Sequence, residues 1–120
     1  QELITASTEN IPLKIVVFNN GNHGMVRQWQ KIFYNNRFSA SELTHHTPDY
    51  VKLAEAMGAV GLRMEQKSEV KDVFEKMLEI NDKPVLVDCV VDPEDMVFPM
   101  VPAGGSNDVI ILNEEDLKKL

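Results

Sequence analysis

Asn19-Asn20-Gly21-Asn22-His23-Gly24 is the stretch of this sequence whose residue types could do chemistry. It follows the apolar run Ile15–Phe18 and precedes an amphipathic segment that opens at Met25. Amide oxygens and backbone carbonyls are neutral oxygen ligands. They suit Mg2+, which demands octahedral oxygens and takes several of them from substrate phosphates. In open parallel sheets ligands bind beyond the carboxyl ends of the strands, where helix N-termini offer free N–H groups to phosphate. The same residue types also make an ordinary strand-to-helix turn. Residue type alone leaves both readings open.

The segment after the loop adds a second feature. At about 100° per residue, Met25, Val26, Trp29, Ile32 and Phe33 share an arc of about 120°, with Arg27, Gln30 and Lys31 opposite. Core packing explains such a face. So does the wall of an apolar pocket, because methionine adapts and tryptophan is flat. Both can hold at once. Other candidates are weaker. His45-His46 lacks an evident carboxylate partner and reads as a loop pair, and His23 beside the loop could meet a diphosphate without being catalytic. Cys89 alternates with Val87 and Val91 and reads as core. Asp88 is expected to reach solvent or a neighbouring element.

The elements that must position these residues follow from periodicity. Gln1–Thr8 reads as a helix with Leu3 and Ile4 on one side, and Lys14–Asn19 as a buried strand. Gly24–Tyr34 is a helix. Thr47 as cap, Pro48 at the first position and Gly58 as stop bracket another, with Tyr50, Leu53, Ala54 and Met57 on one face. Val60–Met64 is a strand. Ser68 is expected to cap a helix that buries Val70, Val73, Phe74, Met77 and Leu78. Asn81-Asp82-Lys83-Pro84 turns the chain into the strand Val85–Val91. The order α-β-α-α-β-α-β predicts an α/β fold, three αβα layers around a mostly parallel sheet. After Asp92, Pro93, Pro99 and Pro102 bracket a loop ending in Ala103-Gly104-Gly105-Ser106, which predicts a mobile or wrapping tail and not a core element. Glu114-Glu115-Asp116 opens a short acidic turn with Lys118-Lys119 at its end, as the helix dipole favours.

Composition narrows the function. The 120 residues are one domain's worth, with 43% hydrophobic and 26% charged residues, an ordinary globular balance. Nineteen acids against twelve bases give a net charge of −7, so a nucleic-acid partner, which needs a basic surface, is not expected. The longest apolar runs, Ile15–Phe18 and Val109–Leu112, are far short of the roughly 20 residues of a membrane span, and no membrane association is expected. The single cysteine excludes an intrachain disulfide and any CxxC zinc pattern, which fits a reducing compartment. Gln1 opens in mid-helix without a cap, which suggests a fragment of a longer chain.

The residues strongly resemble one family. Asn19-Asn20, then Gly24-Met25-Val26-Arg27-Gln28-Trp29-Gln30, then Phe33-Tyr34 are similar to the catalytic large subunit of acetohydroxyacid synthase, also called acetolactate synthase. Pro48-Asp49-Tyr50-Val51-Lys52-Leu53-Ala54-Glu55-Ala56-Met57-Gly58 and Pro99-Met100-Val101-Pro102-Ala103-Gly104-Gly105 continue the likeness, which covers essentially the whole chain. The resemblance implies the C-terminal part of a thiamine-diphosphate-binding domain, with an α/β core over 1–92 and a tail over 93–120 that folds over the active site. It implies Mg2+ held by Asn20 and Asn22, and cofactor contacts along Asn20, Gly21, Asn22, His23, Gly24 and Met25. Met25, Val26, Trp29, Phe33, Ala103 and Gly104 would line the substrate channel. None of these residues would itself be catalytic.

The implied reaction joins pyruvate, with loss of CO2, to a second pyruvate or to 2-ketobutyrate. The products are acetolactate or acetohydroxybutyrate, on the way to branched-chain amino acids. The resemblance also implies FAD bound mainly outside this segment, a homodimer or larger assembly, a regulatory small subunit, and a cytoplasmic location, or a plastid in a plant or alga. The family's Gly-Asp-Gly is absent from this chain, and its activating Glu belongs to another domain, so the segment alone is expected to be inactive. Two alternatives stand beside this one: another thiamine-diphosphate carboligase or decarboxylase, and a non-catalytic α/β binding module.

Overall fold

A computed structural model describes residues 1–43 and 45–119. The side chains of Lys118 and Lys119, expected at the end of the acidic turn, lie outside the described residues. The chain forms two compact units, one of residues 1–21 and 44–92, the other of residues 22–43 and 93–120.

The first unit holds α1 (Glu2–Thr8), β1 (Lys14–Asn19), α3 (Tyr50–Ala56), β2 (Val60–Met64), α4 (Val70–Glu79) and β3 (Val85–Val90); α2 (Gly24–Phe33) belongs to the second. The three strands are all parallel, in the order β1-β3-β2. The predicted parallel α/β architecture is therefore present, and its layers follow from strand alternation. Val85 and Val87 of β3 face α4, where Met64, Met77, Val73 and Phe74 complete one core. Leu86 faces the other way, onto Ala54 of α3, Ala59 and Leu3 of α1. Cys89 packs against the first core, as expected, and burial raises its thiol pKa.

The strand expected to be the buried one is not. Phe18 in β1 is 74% exposed, because β1 lies at the edge of this sheet. β3, in the middle, has both faces covered and is buried from Val85 to Asp88. Three helix details also differ. Asp49, not Thr47, caps α3, its carboxylate accepting the Val51 and Lys52 N–H groups at 3.2 Å. The Lys52 N–H lowers the Asp49 pKa. Gln66 and Glu69 form a capping box ahead of α4, and Ser68 lies inside the single 3-10 turn that follows Gln66. One Glu69 oxygen, Oε2, accepts the backbone N–H groups of both Glu65 and Gln66 at 2.8 Å, which satisfies donors that the helix start leaves open. Val70 and Leu78 of α4 and Ile4 of α1 are exposed rather than buried. Leu78 lies about 100° around the helix from buried Met77, outside the stripe that meets the sheet.

Gly58 ends α3 as predicted, at φ 75°, the left-handed conformation that favours glycine. Gly61 in β2 has a different reason to be glycine. A Cβ there would lie 2.6 Å from the Val51 carbonyl oxygen and 2.8 Å from its Cα, so α3 rests directly on the β2 backbone.

In the second unit, Asn22 and Glu42 form an antiparallel bridge, and so do Met100 and Ile111. The tail, expected not to be a core element, nevertheless buries Ile111. The tail is tied to α2 by side chains. Gln28 accepts the Val97 N–H at 2.8 Å and donates to the Val97 carbonyl at 3.1 Å. Arg27 and Lys31 both pair with Glu94, Lys31 at 3.0 Å. The acidic stretch Glu114–Lys119 forms a 3-10 helix.

Candidate functional site

At the carboxyl ends of the strands the polar residues of the first unit share one face. Asp88 of β3 is fully buried. Its Oδ2 accepts from Arg63 Nη2 at 2.8 Å and Nε at 3.1 Å, and its Oδ1 accepts from Asn19 Nδ2 at 3.0 Å. The Asp88 hydrogen bond raises the Arg63 pKa, so this cation is permanent. Asn19 Oδ1 in turn accepts the Gly21 N–H at 3.0 Å, and Gly21 takes φ 65°. The turn after β1 is thus shaped by an Asx bond and a left-handed glycine. Asp88 was expected to reach solvent or a neighbour; the solvent option fails and the neighbour option holds. A lone acid inside a β-branched run was the available signal, since a buried carboxylate must be paired.

In the second unit the chain continues through Asn22 and His23, whose N–H donates to the Ser41 carbonyl at 2.8 Å. His23 is exposed at the start of α2, and His45-His46 sits in an exposed turn. The first N–H groups of α2 lack intrahelical acceptors, as at any helix start. Its sides are inverted relative to simple core packing. Polar Gln28 is 4% exposed, whereas Met25 and Val26 are 53% and 51% exposed. Arg27 lies 4.4 Å above the Phe38 ring and donates to the Pro93 carbonyl.

The open apolar side of α2 borders a cavity of about 830 Å³. Met25, Val26 and Trp29 line it, with Tyr34, Phe38, Gln30, Arg37 and Ser39. Gln30 holds the following loop by bonds to the Ser39 carbonyl and N–H, at 3.0 and 3.3 Å. Phe33 is not among the lining residues. Its ring packs on Trp29, with centroids 5.3 Å apart. Ala103 and Gly104 do not line this cavity either. Tyr34, Arg37, Phe38 and Ser39 went unrecognised in the sequence because they lie past the periodic segment, where helical spacing gives no guide.

The Lys31 hydrogen bond, then that of Arg27, lowers the Glu94 pKa. A depressed carboxylate stabilises the fold above its ordinary value of about 4.3 and stops doing so as pH falls through the lowered one. The Tm advantage of the native protein over Glu94→Gln should therefore be constant above about pH 5 and vanish in stronger acid. A difference that grows on acidification would contradict the clamp.

Among the described residues no group of three or more His, Cys, Asp or Glu side chains converges as a metal site. Asn20 and Asn22 each bring neutral oxygens, the donor type that a hard divalent cation takes when a diphosphate supplies the charge. No helix among the described residues is long and apolar enough to cross a membrane.

The chain is similar to known proteins over most of its length. The family described as "Thiamine pyrophosphate enzyme, C-terminal TPP binding domain" matches residues 1–89. The acetolactate synthase of Mycobacterium bovis is 52% identical over 113 residues, which cover 92% of this chain and 18% of that protein. The acetolactate synthase large subunit of Corynebacterium glutamicum is 47% identical over 110 residues, 89% of this chain and 18% of that one. This chain thus spans about a fifth of the length of those relatives. Among solved structures, the thiamine diphosphate-dependent 4-hydroxybenzoylformate decarboxylase of Rhodococcus jostii RHA1 superposes with a TM-score of 0.65 at 27% identity, covering 75% of this chain and 16% of that one. With three quarters of its residues inside the matched domain, the chain belongs to the thiamine pyrophosphate enzymes.

Proposed function

We propose that this chain works as the C-terminal part of an acetolactate synthase. The enzyme would condense pyruvate with pyruvate or 2-ketobutyrate, with loss of CO2, in branched-chain amino acid synthesis. The single observation that carries the reading is the inverted α2: its Met25–Val26–Trp29 side borders a cavity while Gln28 is buried. A helix that only packed would bury the opposite side.

In this reading Asn20, through its side-chain oxygen, and Asn22, through its backbone carbonyl, hold Mg2+. The segment Asn20–Met25 contacts the diphosphate of thiamine diphosphate, and the N-terminus of α2 favours that negative charge. When bound, the cofactor supplies the carbon nucleophile and the electron sink for decarboxylation. The chain's own residues bind, orient and exclude water. Met25, Val26 and Trp29 form the apolar wall against the acceptor's alkyl group, Phe33 backs Trp29, and Arg37 favours a carboxylate end. Ala103 and Gly104 are assigned to the channel mouth. FAD binding elsewhere in the enzyme, a dimeric or larger assembly, a regulatory small subunit, and a cytoplasmic or plastid location belong to the same proposal.

The test is the full-length enzyme given pyruvate, thiamine diphosphate and Mg2+. Acetolactate is the expected product. Release of acetaldehyde alone would instead indicate a decarboxylase, as the function of the Rhodococcus protein would suggest. A pocket discriminates one methylene by only about 1–3 kcal/mol, so Trp29→Leu should lower the preference for 2-ketobutyrate over pyruvate by roughly ten- to a hundredfold. An unchanged product ratio in a 2-keto acid competition would remove Trp29 from the acceptor pocket.

A further inference from the structure

Asp88 is a buried carboxylate that the proposed chemistry does not use. Its two oxygens are divided between neighbours: Oδ2 takes both bonds from Arg63, and Oδ1 takes the single bond from Asn19. That division fixes the Asn19 amide. Turned over, Asn19 would set its oxygen against a carboxylate and its NH2 against the Gly21 N–H, two repulsive contacts. Only one orientation satisfies both neighbours, and in it Oδ1 faces the Gly21 N–H. The backbone of Asn19 is also pinned, its carbonyl accepting the Val91 N–H at 3.0 Å. Asn20 therefore stands between a residue locked to the central strand and a glycine held at φ 65°.

We propose that Asp88 is a positioning residue for the Asn20–Gly21 turn, acting through the Asn19 amide to preset the metal-binding asparagine. The inference rests on the reading that Asn20 holds the divalent ion. It gives a physical reason for the composition of β3: an acid inside an otherwise apolar central strand is stabilised by Arg63 and transmits order to the end of β1. A preset donor loses less freedom on binding and so binds more tightly. Supports one shell behind a metal ligand commonly change affinity by about 10- to 100-fold. Arg63 neutralises the carboxylate. It is partly exposed and has Asp49 4.0 Å away as a second partner, so it can tolerate a neutral residue at position 88.

The test uses the full-length enzyme with saturating thiamine diphosphate, titrated with Mg2+ by calorimetry. Asn20→Ala, Asn19→Ala and Asp88→Ala should each raise the Mg2+ Kd about tenfold or more. Asp88→Asn has one oxygen for donors on two sides; the charged Arg63 takes it, the new NH2 opposes Asn19 Nδ2, and the Kd should rise about as in Asp88→Ala. The Asp88→Ala/Asn19→Ala double variant should be no worse than either single one, because both break the same link. In cofactor-free enzyme, hydrogen exchange of the peptide containing Gly21 should quicken in Asn19→Ala, Asp88→Ala and Asp88→Asn. A purely structural Asp88 would lower Tm in Asp88→Ala and leave the Mg2+ Kd unmoved. If Asn20→Ala weakens Mg2+ while Asn19→Ala does not, the inference falls and the metal reading survives. If Asn20→Ala leaves the Kd unchanged, both fall. Should Asp88→Ala fail to fold, Asn19→Ala and Asp88→Asn still decide the matter.

Discussion

Gly61→Ala is expected to destabilise the sheet unit by about 3 kcal/mol, at the upper end of what overpacking costs. The new methyl would meet the Val51 carbonyl oxygen at 2.6 Å and the Val51 Cα at 2.8 Å. Real Cβ atoms do not come that close, and neither contact is a side chain that can swing aside. α3 must therefore lift from β2. Lifting it opens the core where Ala54, fully buried, meets Leu86 and Ala59. The cost thus combines strain with lost burial. Gly104→Ala is the natural control. Unlike Gly61, Gly104 takes a positive φ, 79°, but nothing lies within 4 Å of the added Cβ, so only a backbone penalty of about 1 kcal/mol remains. Chemical denaturation of the full-length enzyme measures both. Equal midpoints for the two variants would show that α3 does not rest on β2 at this point.

Gln28→Leu is expected to cost about 2–3 kcal/mol, although leucine matches glutamine in size and is apolar. Two hydrogen bonds to Val97 are lost, and so is the contact of Nε2 with Met100 Sδ at 3.3 Å. A typical hydrogen bond contributes about 1 kcal/mol net, and an abandoned buried partner costs more. Hydrophobic replacement at a 4%-exposed site offsets part of that loss. The polar term should win, because Val97 keeps both its N–H and its carbonyl without the amide that served them. The tail should then loosen first where Gln28 holds it, which faster amide exchange around Val97 would report. A variant as stable as the native enzyme, with Val97 still protected, would mean that the Glu94 ion pairs alone hold the tail.

Much of the fold was legible because period and punctuation act locally. β1, α2, β2 and the stop at Gly58 stand where alternation, helical spacing and glycine put them. The capping residues were harder. Thr47, Asp49 and Ser68 are all competent caps by type, and which one reaches a free N–H depends on where the first turn settles within two residues. Burial along β1 was harder still. Four consecutive apolar residues look the same whether a strand lies in the middle of a sheet or at its edge, and strand order is a long-range property that no window contains. The candidate site divides the same way. The Met25–Trp29 face could be picked out from spacing, whereas Asn20 and Asn22 rest on the family resemblance. Arg37 and Phe38 reach the cavity only through the loop that Gln30 clamps, and Asp88 meets Asn19 across 69 positions of sequence.

By itself, the order of residues determined the helices and strands, the exclusion of a disulfide within these 120 residues, the acidic balance, and a run from Asn19 to Phe33 specific enough to point to a family. Those follow from interactions among near neighbours and from composition. The tertiary structure alone decided which side of α2 is open, what neutralises the buried carboxylate of β3, and which residues fasten the tail. Each of these depends on partners tens of positions apart. An amphipathic pattern says that one side of a helix must leave water or meet a ligand, but only the packed chain shows which of the two occurs.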